Sequence, residues 1–420
     1  MYNNNIQKYL EGKGIETSTT HSKKSLQFIK LEYSNYYRLY PKVQFESLDF
    51  IYNKNSINAT KFYPILLQEW SYYIKPRGHL ILEFEDNGLL NGKSLYNSLK
   101  LILKDKIKII EYEKKGRYNL FILEKTKKSY DNSSIDEWTC GIITKGERDN
   151  FIDKYIESVR IQKIPKYEII VCGTYGGKYI KSKDVKYIHF NKKDNLGWIT
   201  KKKNLICASA KYENIVIVHD RYYLDKKFYE GCKRYGSYFD FVIPQSYDPD
   251  GILLGTHGTS GRLFRIRAII APGDYDKNII CSGGIVVLKK SVWKKCKFDE
   301  FYFWNEEDTS FGIEATKRGY YARINPLSKA ITFRSYKSIQ SPYYEFNNKK
   351  LGRFRLRFFK HNKDYPDWKT IFQFYITNIF EHTMDYRNYV RFMRWKSKIF
   401  KLRSEYDKSK KYYSRYKVKK

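Results

Sequence analysis

Glu306, Glu307 and Asp308 stand side by side, two residues behind Trp304, in a chain with 80 Lys and Arg against 45 Asp and Glu. Adjacent acids repel, so the row invites a use for its charge. A carboxylate beside a cleft can take a proton from a reacting hydroxyl, which accelerates a reaction roughly 10²–10⁴-fold. A plainer use is also open. "EED" precedes "TSFGIEATKRG", and acids favour the first turn of a helix. A second set of residues has the opposite character. His219, Asp220 and Arg221 follow the apolar run "NIVIV", and Thr144, Lys145 and Gly146 follow "WTCGII". Gly173 to Gly177, read as Gly-Thr-Tyr-Gly-Gly, follow "EIIVC". Cations and backbone donors there could face an anion, glycines would let a ligand approach the backbone, and turn-capping alone is the simpler alternative.

The elements that position these residues alternate. "ERDNFIDKYIESVRIQ" (147–162) has helical spacing, "YEIIVCG" (167–173) and "VKYIHF" (185–190) read as strands, "ITKKKNLICASA" (199–210) as a helix and "NIVIVHD" (214–220) as a strand. "CSGGIVVLKKSVW" (281–293) reads as a strand running into a helix. Alternation of this kind predicts an α/β, mainly parallel sheet with helices on its faces. Ligands bind beyond the carboxyl ends of such strands, where the residues named above converge.

Three stretches, in order, carry a resemblance: "IITKGERDNFIDKYIESVRIQKIPKYEIIVCG", "NLGWITKKKNLICASAKYENIVIVHDRYYLD" and "CSGGIVVLKKSVWKKCKFDEFYFWNEEDTSFGIEATKRGYYARINP". Over about 138–335 the chain resembles a family 2 glycosyltransferase domain of the GT-A fold, Rossmann-like and built for a nucleotide sugar. The resemblance implies inverting transfer from a nucleotide-diphosphate donor, a UDP-sugar by family frequency, to a hydroxyl of a glycan, glycoconjugate or lipid-linked acceptor. It makes Asp308 the general base, gives Glu307 an acceptor hydroxyl, and gives Trp304 the apolar face of the acceptor sugar. Asp220 would face the donor diphosphate, flanked by His219 and Arg221, with Thr144 and Gly173 on the nucleotide side. Asn195, Gly197, Trp198 and Lys203 would lie along the nucleotide, Lys203 toward phosphate. Gly283 and Gly284 would admit the donor sugar. The sequence departs from the family where the second acid of Asp-x-Asp is replaced in His219-Asp220-Arg221, and where Thr332 and Arg334 stand in place of a later histidine. A lone carboxylate leaves two readings open, a weakly held Mn or Mg shared with the diphosphate or positive charge from Arg221.

Residues 1–130 form a separate region. "GKGIETSTTHSKKS" (12–25), "FIKLEYS" (28–34), "LDFIYN" (48–53) and "LLQEWSYYIKPRGHLILEF" (66–84) resemble, in order, a class I S-adenosylmethionine methyltransferase. Glu16 matches its first acid and Glu32 its ribose acid. The loop after Glu16 reads Thr17-Ser18-Thr19-Thr20 without the glycines that let a backbone meet the cofactor. The implied domain is degenerate, an inactive scaffold with no S-adenosylmethionine expected. "KPRG" (75–78) reads as a turn before a strand, "KIKIIEYEKKGRYNLFILEK" (106–125) as two strands around Lys-Lys-Gly, and 126–137 as a linker.

The formal net charge of +35 favours polyanions or a phosphorylated substrate. It is also what a Lys-rich surface of low-GC coding bias gives. Residues 336–420 interleave cations with aromatics, as in "KKLGRFRLRFFKHNK" (349–363) and "RNYVRFMRWKSKIFKLR" (387–403). They read as a helical basic extension suited to an anionic membrane surface, to packing on the catalytic domain, or, least of the three, to nucleic acid. Six scattered cysteines without a C-x-x-C pair fit free thiols of a reducing compartment. No run of roughly 20 apolar residues is available to span a bilayer, and the sequence reads as cytoplasmic, peripheral on the membrane through its tail. The competing class is a non-catalytic nucleotide-sugar-binding or scaffold protein with a degenerate Asp-x-Asp.

Overall fold

The structure, a computed structural model, describes residues 4–18, 26–28, 39–40, 42–60, 63–130, 134–190, 198–251, 253–254, 257–260, 267–269, 279–281, 283–300 and 307–335. Asn195, Gly197, Trp304, Glu306, Glu32 and the basic extension 336–420 lie outside the described residues. The fold is mixed α/β and carries two large sheets.

The first sheet contains β1 (Gly14–Glu16), β2 (Gln27–Phe28), β3 (Leu48–Lys54), β4 (Ile74–Glu85), β5 (Ile107–Lys115) and β6 (Tyr118–Lys125). Its order is β2-β1-β3-β4-β6-β5. The first four strands are parallel, and β6 is antiparallel to both β4 and β5. The β5–β6 turn falls at Gly116, whose φ of 59° suits a residue without Cβ. The turn expected before β4 is instead absorbed into the strand. Arg77 has φ 69°, and the register against β3 shifts at this point, so Pro76–Gly78 form an irregularity within β4.

Helix α1 (Tyr63–Tyr73) is mostly apolar and is buried on every side from Pro64 onward. Such a helix needs cover all round. It packs into a core whose members come from both sheets, among them Leu80, Leu82, Phe241 and Ala322. Its polar residues are met from the second region. Arg323 Nη1 donates to Glu69 Oε1 at 2.6 Å, and Gln68 Nε2 donates to Asp240. The second helix, α2 (Gly92–Ile102), starts at Asn91, whose side chain accepts from Ser94 N. Tyr130, in the stretch read as a linker, is buried and donates to Asp240.

The second sheet begins with β7 (Glu137–Ile143), α3 (Asp149–Arg160), β8 (Lys166–Gly173), β9 (Val185–His189), α4 (Ile199–Ser209) and β10 (Asn214–His219). It continues through β11 (Tyr222–Leu224), α5 (Phe228–Tyr235), β12 (Phe241–Tyr247) and β13 (Leu253–Leu254). A separate three-stranded sheet holds β14 (His257–Ser260), β15 (Arg267–Ile269) and β16 (Ile279–Cys281) in the order β15-β14-β16. The chain then returns through β17 (Ile285–Lys289), α6 (Lys290–Lys295), α7 (Glu307–Lys317) and β18 (Ala322–Thr332). The strand order is β11-β18-β12-β17-β10-β7-β8-β9, with β13 beside β12. β9, β8, β7 and β10 are parallel, while β17 runs antiparallel between β10 and β12. Of the cysteines, Cys140, Cys172, Cys207, Cys232 and Cys296 are buried free thiols. Among the described residues no helix is long and apolar enough to cross a membrane.

Candidate functional site

Register places the site. His219 pairs with Ile143, Ile143 with Cys172, and Val218 with Ile285. The carboxyl ends of β7, β8 and β10 therefore lie level with the amino end of the reversed β17. Thr144, Gly173, His219 and Gly284 follow or precede those residues directly, at one edge of the sheet.

Asp220 is held from three sides. Its backbone N–H donates to Ile143 O at 3.1 Å. Oδ2 accepts from Thr144 Oγ1 at 3.1 Å, and Oδ1 accepts from Arg148 Nη1 at 2.9 Å. Thr144 is fixed in turn: its N–H donates to Cys172 O, its Oγ1 accepts from Gly146 N, and its carbonyl accepts from Lys202 Nζ. Gly173, at φ 140°, is crowded by that same Thr144 carbonyl, onto which a Cβ would fall. The sequence suggested that this glycine opens space for a ligand. In the structure it opens space for Thr144.

The acid pair comes to the same edge from α7. Both acids lie in its first turn, so the helix-start preference and a place at the strand ends hold together. Glu307, 6% exposed, lies with Oε1 3.7 Å from Lys203 Nζ and 4.0 Å from His219 Nε2. Asp308 Oδ2 accepts from Gly283 N at 2.9 Å, and Lys203 Nζ donates to Gly283 O at 3.0 Å. His219 N donates to Gly284 O at 2.9 Å. The repulsion between Glu307 and Asp308 is thus offset by a buried ammonium and a backbone donor. A Cβ at Gly283 would overlap Glu307 Oε1, and one at Gly284 would overlap the Tyr222 ring. These glycines make room for the chain's own side chains.

The cations cluster around His219. Burial, and then Lys203, Arg221 and Lys202 in that order, hold its imidazole well below the usual histidine range. It is therefore neutral near neutral pH, and its contact with Glu307 is not an ion pair. His219 Nε2 and Arg221 Nε are buried without a hydrogen-bond partner among the described residues. Trp198, at the start of α4, meets Phe190 edge to face at 6.5 Å, and Lys202 Nζ lies 5.2 Å from the same Phe190 ring.

Sequence reasoning named Lys203 but not Lys202 or Arg148. A signal for Lys202 was present. Lys202 and Lys203 precede the buried Ile206 by four and three residues, so both fall on the helix face turned to the sheet. Lys201, one position further round, pairs with Glu300 in partly exposed surroundings. Arg148 sits in a polar turn before α3, where nothing in the sequence singles it out.

Hard divalent cations take several oxygen ligands. Asp220 has both oxygens engaged by Thr144 and Arg148, and Glu307 lies against Lys203. Thr332 pairs across β11 with Tyr222, and its Oγ1 accepts from Arg334 N. Among the described residues no group of three or more His, Cys, Asp or Glu stands together to hold a metal.

No family model matches the chain, and no curated protein matches it. Solved structures with a similar course include S. aureus TarS 1-349, at 12% identity and TM-score 0.36, over 68% of this chain and 92% of that one. TarS 1-349 in complex with UDP-GlcNAc gives 12% identity and TM-score 0.34 over the same shares. The inositol-1-phosphate CTP transferase from T. maritima gives 13% identity and TM-score 0.32, over 53% of this chain and 99% of that one.

Proposed function

We propose that the second region is a GT-A-type domain that transfers a sugar, with inversion, from a nucleotide-diphosphate donor to a hydroxyl of a glycan or glycoconjugate. The observation that carries this reading is the meeting of the acid pair with the cation cluster: Glu307 near Lys203 and His219, and Asp308 on Gly283, at the strand edge that also holds Asp220. A parallel sheet interrupted by one reversed strand leaves its crevice at that edge. Asp308 takes the acceptor proton as the acceptor oxygen bonds to the sugar carbon. The bond from that carbon to the diphosphate breaks, and its electron pair leaves with the diphosphate. Glu307 orients the acceptor. Lys202, Lys203 and Arg221 meet the charge that grows on the leaving group.

In this reading Asp220 is a positioning residue. It fixes Arg148 and Thr144, and through Thr144 the end of β7, and no step is routed through a metal. A donor panel of nucleotide sugars, assayed for release of nucleoside diphosphate, tests the proposal. Turnover in EDTA supports it, and turnover that requires Mn restores Asp220 as a metal ligand. Donor binding without turnover favours the non-catalytic nucleotide-sugar-binding protein, for which the hydrogen bonds from Thr144 and Arg148 to Asp220 are the specific support.

We infer that the first region is a scaffold without S-adenosylmethionine. The support is the loop after β1, where Asn53 Nδ2 donates to Thr17 O and Thr17 Oγ1, both at 3.1 Å, and Lys54 N donates to Ser18 Oγ at 2.9 Å. A calorimetric titration with S-adenosylmethionine should give no heat. The basic extension is proposed to bind anionic membrane, and co-sedimentation with vesicles of anionic against zwitterionic lipid, at two salt concentrations, tests that role.

A further inference from the structure

A cavity lies away from the acid pair, where the first region meets the second. It has a volume of about 560 Å³ and is lined from α2, the stretch after β6, α6 and Tyr320. That size suits a ligand of one or two rings with substituents. Five lysines border it: Lys104, Lys106, Lys127, Lys128 and Lys295. Three carboxylates do so too, each already partnered. Asp105 pairs with Lys127, Glu213 accepts from Ser291 N, and Asp240 accepts from Gln68 and Tyr130. The other wall is apolar and aromatic, with Leu103, Val292, Tyr72, Tyr130 and Tyr320.

Lys104 is the most unusual residue in the cavity. Its φ of 53° lies in the left-handed region, which a residue with Cβ adopts only at a cost. That backbone sets its ammonium 3.2 Å from the centroid of Tyr320. Burial, with Lys106 nearby, pushes its amine down to about 8 despite the opposing pull of Asp240. A half-buried cation beside other lysines, over an aromatic ring and opposed by Asp240 and Asp105, is one whose charge an incoming anion would further offset.

We propose that this cavity binds a small phosphorylated organic molecule, its phosphate on Lys106 and Lys128, its ring on the tyrosine wall and a further polar group toward Lys104. The site is independent of the transferase reading, because none of the groups placed at the acid pair lines it.

Pyridoxal 5′-phosphate on the full chain is a direct probe. Its aldehyde condenses with a free amine, losing water, and borohydride delivers hydride to the imine carbon and fixes the label. At pH 7.5 an amine of about 8 is roughly a quarter free base, against about one in a thousand for an ordinary lysine. Lys289, also depressed to about 7, is sealed from reagent. Mass spectrometry of the digest should place the label on Lys104, at least tenfold faster than with pyridoxal, and millimolar inorganic pyrophosphate should protect it. In Lys106→Gln/Lys128→Gln, Lys104 should still react, with the preference for the phosphorylated aldehyde reduced about tenfold. Equal rates with pyridoxal, no protection by pyrophosphate, an unchanged preference in the double variant, or label concentrated on Lys202 and Lys203 would each overturn the proposal.

Discussion

At the carboxyl end of β1, Glu16 is followed by Thr17 and Ser18, whose oxygens accept hydrogen bonds from Asn53 and Lys54 of the neighbouring β3. At the carboxyl end of β10, His219 is followed by Asp220 and Arg221. There His219 Nε2 and Arg221 Nε stay buried without hydrogen-bond partners among the described residues, beside two buried lysines. Both crevices belong to parallel strands. In the first, short hydroxyl side chains and one asparagine satisfy one another, which is how a structural polar cluster lowers its energy. In the second, charges of both signs are held close, and the Arg221 Nε donor has no hydrogen-bond partner among the described residues. An unsatisfied buried donor such as Arg221 Nε costs stability, which the proposed binding of a donor diphosphate would offset.

The largest expected effect concerns the open crevice. Asp308→Asn should lower transfer roughly 10²–10⁴-fold while donor affinity, read by calorimetry, stays near wild type. Retained turnover would remove Asp308 from the base role. The next effect concerns the tie between the regions. Arg323→Ala leaves Glu69 buried and uncompensated, and the cost should be about 3–5 kcal/mol in urea unfolding. At low temperature, where the variant still folds, transfer should persist; its loss there would mean the first region does more than support the second.

Asn53→Ala tests the closed crevice. It removes donors to Thr17 and the acceptor of Ile57 N, and should cost about 1–3 kcal/mol with no change in kcat. A fall in kcat at unchanged folded fraction would argue that this crevice is functional too.

The smallest effect contrasts the two ends of the second sheet. Lys203 has Glu307 and a carbonyl as partners, whereas Lys289, paired through Asn214 at the far end, hydrogen-bonds a neutral amide. Burial pushes Lys289 down to about 7. Between that value and about 10.4 the unfolded chain holds the proton and the native state does not. Stability through this group is therefore full above about 10.4 and is lost as pH falls toward 7, at up to about 1.4 kcal/mol per pH unit. Lys289→Met should flatten the rise in unfolding free energy between pH 7.5 and 8.5, and an unchanged slope would place the proton elsewhere.

Much of this was legible in the sequence. Apolar runs such as "NIVIV" and "EIIVC" bounded by polar residues fixed β10 and β8, because strand burial and period are local signals. The reversal of β17 was not legible, since a fully buried strand has no direction in its composition. The neighbours of Gly173 and Gly283 were not legible for a related reason. Sequence marks where a Cβ is excluded, but only the fold shows that Thr144 and Glu307 do the excluding. Arg148 was invisible because its partner, Asp220, lies 72 positions away.

Hydrogen exchange with and without saturating nucleotide sugar tests most directly whether the acid pair and Asp220 share one cleft. One bound donor should slow exchange together in the segments around 144–148, 219–222, 283–285 and 307–311. Protection confined to one of these segments, or to the closed crevice around 14–18, would contradict a shared site.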